Sequence, residues 1–323
     1  ELRGMRRDQV KLMVTDKRSR EIEHTQFNQL DQYLQSGDVL ILNNSRTIPA
    51  VVKGDIVRKG SIVAALIEIR FAKKYKENCW DLLVLHEDIE IGDIIIFSEG
   101  QLKASVLEKS EGTPLWRVMF HQSDDYIMHY LYKNGEPIRY EYIKDAFDLN
   151  FYQTVYASVP GSVEMPSAGR AFTWELLFKL QRKGVKLEFM QLHTGLSFLL
   201  EEYWPLKPDM NPEIYCIEAK TMDVIQQAKK RGRKVVAVGT TVVRALETAM
   251  ETHRNEGMTN LYIGTDYHLK AVDGILTGLH EPEASHLDML SAFIDSTFLL
   301  STYEEAIQRG YLWHEFGDLN LII

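Results

Sequence analysis

The hydrophobic rhythm of this chain changes twice, and that change limits the fold more than any single motif. From about residue 55 to 122, short β-branched runs follow one another: Ile62 to Ile69, Trp80 to Leu85, Ile94 to Phe97, Leu102 to Leu107 and Trp116 to Phe120. Turn residues separate them, among them Gly92-Asp93, Glu99-Gly100 and Glu111-Gly112. Strands spaced roughly 8–14 residues apart, with turn signals between, predict a small antiparallel barrel or sandwich.

Beyond residue 150 strands alternate with helices. Thr173 to Lys183 reads as a helix, capped by Thr173 and ended by Gly184. Lys186 to Leu192 reads as a strand, Ala219 to Arg231 as a helix, Lys234 to Gly239 as a strand and Thr241 to Glu251 as a helix. Leu261 to Ile263 and Leu269 to Leu276 read as strands, and helices follow over about Ser285 to Phe298 and Tyr303 to Gln308. Before residue 55, Leu12 to Asp16 and Val39 to Asn44 read as strands around a short helix from Gln26 to Gln35. The expected fold is α/β: a larger mixed α/β domain from residues 1–54 plus 151–323, with a smaller antiparallel β-barrel domain inserted at 55–150. A length of 323 residues suits two domains.

Composition narrows the functional classes. Lys and Arg number 37 against 46 Asp and Glu, a net charge of −9, which disfavours an indiscriminate nucleic-acid binder but permits a local basic patch. No apolar run approaches the roughly 18 residues of a membrane span, and the first residues lack a signal-peptide shape. Cys79 and Cys216 are the only cysteines and have no metal-like spacing. The expectation is a cytoplasmic protein away from membranes, without a disulfide framework or a metal. No HExxH, CxxC, GxSxG or GxxxxGK[ST] occurs, which removes the usual support for zincin, α/β-hydrolase and P-loop readings.

Four features can carry chemistry. At Gly239-Thr240-Thr241 a buried strand passes at once into a helix, so free amides, two hydroxyls and a glycine suit a phosphate or carboxylate, with Arg244 one turn on. The plain alternative is a simple helix cap. The segment Pro160 to Thr173 is a loop in which Ser167, Ala168 and Gly169 let a flat ligand approach the backbone, and Glu164 is a further acid. His193 and His280 each follow a strand, where α/β proteins place ligands and where histidine serves as acid or base; each can equally be structural. His280 and His286, six apart, form no metal signature. Basic residues cluster at Lys229 to Lys234, at Lys179, Arg182, Lys183 and Lys186, and at Arg3, Arg6 and Arg7. They are either solvated helix ends or a phosphate-binding face.

Taken together, certain segments resemble one family, the S-adenosylmethionine:tRNA ribosyltransferase-isomerases of queuosine biosynthesis. They are Gly37 to Ala50, Tyr152 to Ala157, Pro160 to Val163, Pro166 to Gly169, Phe172-Thr173, Leu192-His193, Gly195-Leu196, Val236 to Glu247, Val272-Asp273, His280, Pro282 and Leu290 to Phe293. They run in family order along nearly the whole chain. The resemblance implies an α/β domain with an inserted β-barrel. It also implies transfer of the ribosyl part of S-adenosylmethionine to 7-aminomethyl-7-deazaguanine in tRNA, with rearrangement to epoxyqueuosine and release of adenine and methionine. S-adenosylmethionine is then a co-substrate and tRNA a partner, held through local basic patches. His193 and His280 are the candidate acid–base residues. Ser167, Ala168, Gly169, Gly239, Thr240, Thr241 and Arg244 are the candidate S-adenosylmethionine contacts.

The chain departs from the family pattern in places. Arg170-Ala171 stands where the family has Leu-His, Ser197 to Glu202 replaces a Gly-Thr-Phe segment, and Asn211-Pro212-Glu213 replaces His-Ser/Ala-Glu. Thr277 to His280 reads Thr-Gly-Leu-His for Thr-Asn-Phe-His, and Val51 replaces an Arg. These changes leave two alternatives: a paralogue that uses S-adenosylmethionine with another acceptor or only cleaves it, and a non-catalytic RNA- or nucleoside-binding protein.

Overall fold

The structure, a computed structural model, describes residues 6–139, 147–196, 212–280, 285–313 and 316–323. Strands β1 (Lys11–Thr15), β2 (Ile22–Gln26), β3 (Val39–Asn43) and β4 (Ser45–Thr47) open the chain. Next come β5 (Val51–Arg58), β6 (Ser61–Lys76), β7 (Cys79–Val84), β8 (Ile94–Phe97), β9 (Leu102–Lys109) and β10 (Leu115–Phe120). These six close an antiparallel barrel in the order β10-β7-β6-β5-β8-β9. Inward positions alternate on β9, where Leu102, Ala104 and Val106 are buried, whereas β7 is buried at every position. Phe71 meets Trp80 edge-on at 5.2 Å and stacks on Phe120 at 5.4 Å inside. Helix α1 (Asp124–Asn134) packs Ile127, Tyr130 and Leu131 into the same core.

After the barrel come β11 (Val159–Ser162), α2 (Trp174–Lys183), β12 (Lys186–Leu192), β13 (Glu213–Ile217), α3 (Ala219–Lys230) and β14 (Val235–Val238). The chain ends with α4 (Thr240–Thr252), β15 (Glu256–Thr259), β16 (Gly274–Gly278), α5 (Ser285–Leu290), α6 (Ser296–Gln308) and β17 (Leu319–Ile322). A nine-stranded sheet runs β15-β13-β12-β3-β14-β16-β17-β1-β2, and β12, β3, β14 and β16 at its centre are mutually parallel. Both faces of β3 and β14 are covered, so Val39 to Leu42 and Val235 to Val238 are apolar and buried throughout. Leu40, Leu42, Val236 and Val238 face α2, whereas Val39, Ile41, Val235 and Ala237 face α3 and α4. Helix α2 starts where Thr173 Oγ1 accepts the Leu176 amide at 3.3 Å and stops at Gly184, φ +92°.

The mixed α/β architecture with a closed barrel is the one the sequence led us to expect. The barrel joins the sheet through a two-stranded stem, in which inbound β4 and outbound β11 pair in parallel. Several element readings need correction. Residues 261–263 are not a strand: the sheet edge beside β13 is taken by Glu256–Thr259. The strand expected from Leu269 starts only at Gly274, because the amides of Lys270, Ala271 and Val272 are captured by the buried Glu247 carboxylate at 2.8, 2.9 and 3.3 Å. The first terminal helix ends at Leu290, and a second one, capped by Asp295, starts at Ser296. Gln26 to Gln35 holds a 3-10 helix over Phe27–Gln32. Strand β6 runs to Lys76, seven residues past Ile69, with bulges that interrupt pairing around Lys73 and Lys74.

Candidate active site

Because β3, β12, β14 and β16 are parallel, their carboxyl ends share one edge of the sheet. That edge carries Asn43-Asn44, His193, Gly239-Thr240-Thr241 and Leu279-His280. Strand order reverses there: the chain adds β12 on one side of β3, then crosses to place β14 on the other. Ligands of open α/β sheets bind at such a crevice. His193 and His280 lie three strand spacings apart, about 14 Å, so they bracket the edge and do not share one atom.

His193 is the more elaborately held. Its Nδ1 lies 2.7 Å from Ser45 Oγ, which lies 2.6 Å from Ser162 Oγ. Ser162 Oγ accepts the Thr194 amide at 3.0 Å and stands 3.2 Å from Thr194 Oγ1. Asn43 ties the same corner together, donating to Leu192 O at 2.8 Å and accepting from the Leu192 and Ser45 amides at 3.1 Å each. Gly161 lies flat against the imidazole: a Cβ there would sit 2.5 Å from Nδ1. Burial, aided by Lys74 from barrel strand β6, pushes the imidazole down to about 4, so it is neutral at pH 7. Lys74 is itself 2.8 Å from Asp124.

Gly239 and the Ser167–Gly169 turn meet beside this corner. Gly239 has φ +95°, and a Cβ there would lie 3.5 Å from Ala168 Cβ. Helix α4 has no side-chain cap. The amides of Thr240, Thr241 and Val242 precede its first intrahelical bond, Val243 to Gly239 O, and point at the edge. Gly169 leaves room for Tyr156, whose Oη a Cβ would approach to 2.0 Å. Tyr156 Oη lies near Thr154 Oγ1, and neither bonds anything else in the buried interior. Arg170 and Ala171, the substituted pair, line a small cavity with Ser167 and Gly278. Arg170 is only 8% exposed; its Nε donates to Phe151 O at 3.2 Å and its guanidinium lies 4.5 Å from the Phe316 ring centre.

Arg244 already has an anion. It pairs with Glu213 of β13, whose other carboxylate oxygen accepts the Gly195 amide at 3.3 Å. It ties α4 to β13 and to the loop after His193. The His280 and His286 rings lie 4.1 Å apart, tilted by 42°, and His286 bonds Thr277 Oγ1 at 3.0 Å. Burial, then the nearby His280, holds His286 well below its ordinary range. Six residues apart in sequence, these rings are adjacent in space, yet among the described residues no group of three or more His, Cys, Asp or Glu is placed to hold a metal.

The basic clusters separate. Lys186 starts β12 and Lys234 directly precedes β14, so the clusters at 179–186 and 229–234 lie toward the amino edge, away from His193. Lys179 pairs with Asp31 at 2.7 Å and Lys229 with Asp273 at 3.6 Å. Arg7 reaches the candidate loop, donating to Gln153 O at 3.2 Å and Arg170 O at 3.4 Å. Arg3, Ser197 to Glu202, Asn211 and Pro282 lie outside the described residues. Sequence reasoning missed Ser45, Ser162, Gly161 and Lys74 as site residues. The small polar residues of Asn43-Asn44-Ser45 directly after an apolar strand were the available signal.

Residues 4–322 match the family described as Queuosine biosynthesis protein. The chain is 34% identical to the S-adenosylmethionine:tRNA ribosyltransferase-isomerase of Caldanaerobacter subterraneus subsp. tengcongensis, over 97% of this chain and 92% of that protein. It is 35% identical to the protein of the same name from Sulfurihydrogenibium sp., over 98% and 94%. The crystal structure of the S-adenosylmethionine tRNA ribosyltransferase from Thermotoga maritima superposes with a TM-score of 0.54 at 29% identity, covering 98% of this chain and 93% of that one.

Proposed function

The chain belongs to the queuosine biosynthesis protein family, and from that premise we propose that it is an S-adenosylmethionine:tRNA ribosyltransferase-isomerase. It moves the ribosyl part of S-adenosylmethionine onto 7-aminomethyl-7-deazaguanine in tRNA and isomerises it to epoxyqueuosine, releasing adenine and methionine. The observation that carries this is near-full-length identity of 34–35% to proteins of that name. The same identity favours the parent reaction over the two alternatives that the departures raised. Arg170 and Ala171 fit this: both are buried, and Arg170 is held by Phe151 and Phe316.

The sulfonium acidifies the neighbouring C5′ hydrogens of the ribose, so the reaction needs a base that is unprotonated at pH 7. His193 supplies one, since its low-lying pKa keeps the lone pair available. The uncapped amino end of α4, with the Thr240 and Thr241 hydroxyls, suits the methionine carboxylate. Ser167, Ala168, Gly169 and Gly239 form the narrow wall against which a flat adenine fits. His280 stands at the far end of the edge as a second acid–base group. Arg244 contributes by holding the wall through Glu213. The tRNA is expected to meet basic side chains, of which Arg7 reaches the candidate loop, and a cytoplasmic location is part of the same proposal. The division into an α/β unit and an inserted barrel unit is part of this proposal, with the boundary expected at 54/55 moved back to Val51, where barrel strand β5 begins.

The test is incubation with S-adenosylmethionine, with and without tRNA carrying the aminomethyl deazaguanine. Adenine release that requires this tRNA, with epoxyqueuosine detected in the digested product, is the expected result. Adenine release without tRNA, or none with it, overturns the proposal.

A further inference from the structure

We propose that Ser45 and Ser162 are positioning residues for His193, holding the imidazole with its proton on Nδ1 and its lone pair on Nε2. The assignment rests on the proposed role of His193 as base. Two buried hydroxyls link the imidazole to the stem.

Ser162 Oγ has one proton and two lone pairs. The Thr194 amide can only donate, and at 3.0 Å it takes one lone pair. Leu192 O can only accept and lies 3.4 Å from Ser162 Oγ; Thr194 Oγ1, a hydroxyl that can donate or accept, lies at 3.2 Å. Donation by Ser162 to these leaves its second lone pair for Ser45, 2.6 Å away. The Ser45 proton then goes to Ser162, and Ser45 Oγ must accept from His193 Nδ1 at 2.7 Å. The reverse direction would turn the Ser162 proton away from Leu192 O, which Asn43 also reaches at 2.8 Å, and would put the imidazole proton on Nε2, where it blocks a base; the proposed role of His193 as base selects the first arrangement. Ser45 is fully buried, as is Ser162, so water does not compete for either hydroxyl.

The two serines come from the two strands of the stem, β4 and β11, whereas His193 follows β12. The histidine is therefore aligned by the joint between barrel and sheet. Among the described residues no carboxylate hydrogen-bonds Nδ1; a neutral hydroxyl chain ending on backbone and Thr194 acceptors takes that place. Such a chain orients the ring without adding the negative charge that would raise its basicity, which agrees with an imidazole that stays neutral. When Nε2 takes a proton, Nδ1–H continues to donate to Ser45, and no group in the chain has to ionise.

Histidine ¹⁵N NMR on the full chain at pH 7 tests this, with the His193 signals identified by their loss in His193→Gln. The expected spectrum shows Nδ1 protonated and Nε2 bare. Ser45→Ala moves the balance toward Nε2–H, the ordinary form in water, and Ser162→Ala moves it the same way by a smaller amount. Ser45→Thr, which keeps a hydroxyl, restores the wild-type pattern. Single-turnover adenine release falls by about 10- to 100-fold in Ser45→Ala, with S-adenosylmethionine affinity unchanged. A wild-type spectrum with the proton on Nε2 overturns the proposal. So does a folded Ser45→Ala or Ser162→Ala protein that keeps the wild-type tautomer. The tautomer is read without turnover, so an inactive wild type with Nδ1–H would refute the proposed activity and leave the positioning role standing.

Discussion

Replacing Gly161 by Ala probes how the histidine is held. A Cβ at this position would lie 2.5 Å from His193 Nδ1, 2.6 Å from Cε1 and 2.8 Å from Cγ, against an ordinary contact beginning near 3.4 Å. The ring has to retreat by roughly 1 Å, because the steric repulsion is steep and Gly161 is fixed in the stem. That displacement carries Nδ1 off Ser45 Oγ, now 2.7 Å away. Overpacking costs about 1–3 kcal/mol and the lost hydrogen bond about 0.5–1.5 kcal/mol, so the two together give about 2–4 kcal/mol. The φ of +155° adds strain of its own, about 1–3 kcal/mol for a residue with a side chain. A double-mutant cycle removes that last contribution. In the His193→Ala background only the backbone strain remains, so Gly161→Ala costs about 2–4 kcal/mol less there than in wild type. Urea unfolding followed by fluorescence measures all four proteins, and adenine release from the single variant falls with the misplaced ring. Coupling below about 0.5 kcal/mol, with activity retained, refutes the contact and the argument built on it.

Three further outcomes follow from the site. Thr241→Val weakens S-adenosylmethionine binding by about 1–2 kcal/mol in calorimetry if its hydroxyl meets a charged group, and unchanged affinity rejects that contact. Glu213→Ala leaves the Arg244 guanidinium, 12% exposed, without its carboxylate and destabilises the fold by about 3–5 kcal/mol, whereas replacing both partners by apolar residues costs far less; equal losses in thermal melts refute the pairing. His193 has a folded pKa of about 4, below its unfolded 6.5, so the unfolded chain binds the proton first on acidification. Stability is complete above pH 6.5 and declines toward pH 4, by up to about 3 kcal/mol from this group, and His193→Gln flattens that part of the curve. The buried His286 acts in the same direction and leaves a residual slope in the variant.

What the sequence settled unaided was what near neighbours decide. The cap at Thr173, the left-handed Gly184, the strand Lys186 to Leu192 and the helix after Gly239 were legible because a cap, a glycine or an apolar period acts within a few residues. The barrel was legible for the same reason, through strands punctuated by turns. Tertiary structure decided the rest, because the decisive partners are remote. Ser45 is 117 residues from Ser162 and 148 from His193, so no local pattern announces their chain of hydroxyls. Arg244 looked available to a ligand until β13 brought Glu213 beside it. The strand expected from Leu269 was shortened by Glu247, a helix residue more than twenty positions earlier that takes the amides a sheet ladder would need. Two basic clusters fell to the amino edge because a parallel strand sends its two ends to opposite sides of the sheet, and only the strand direction says which end carries the site.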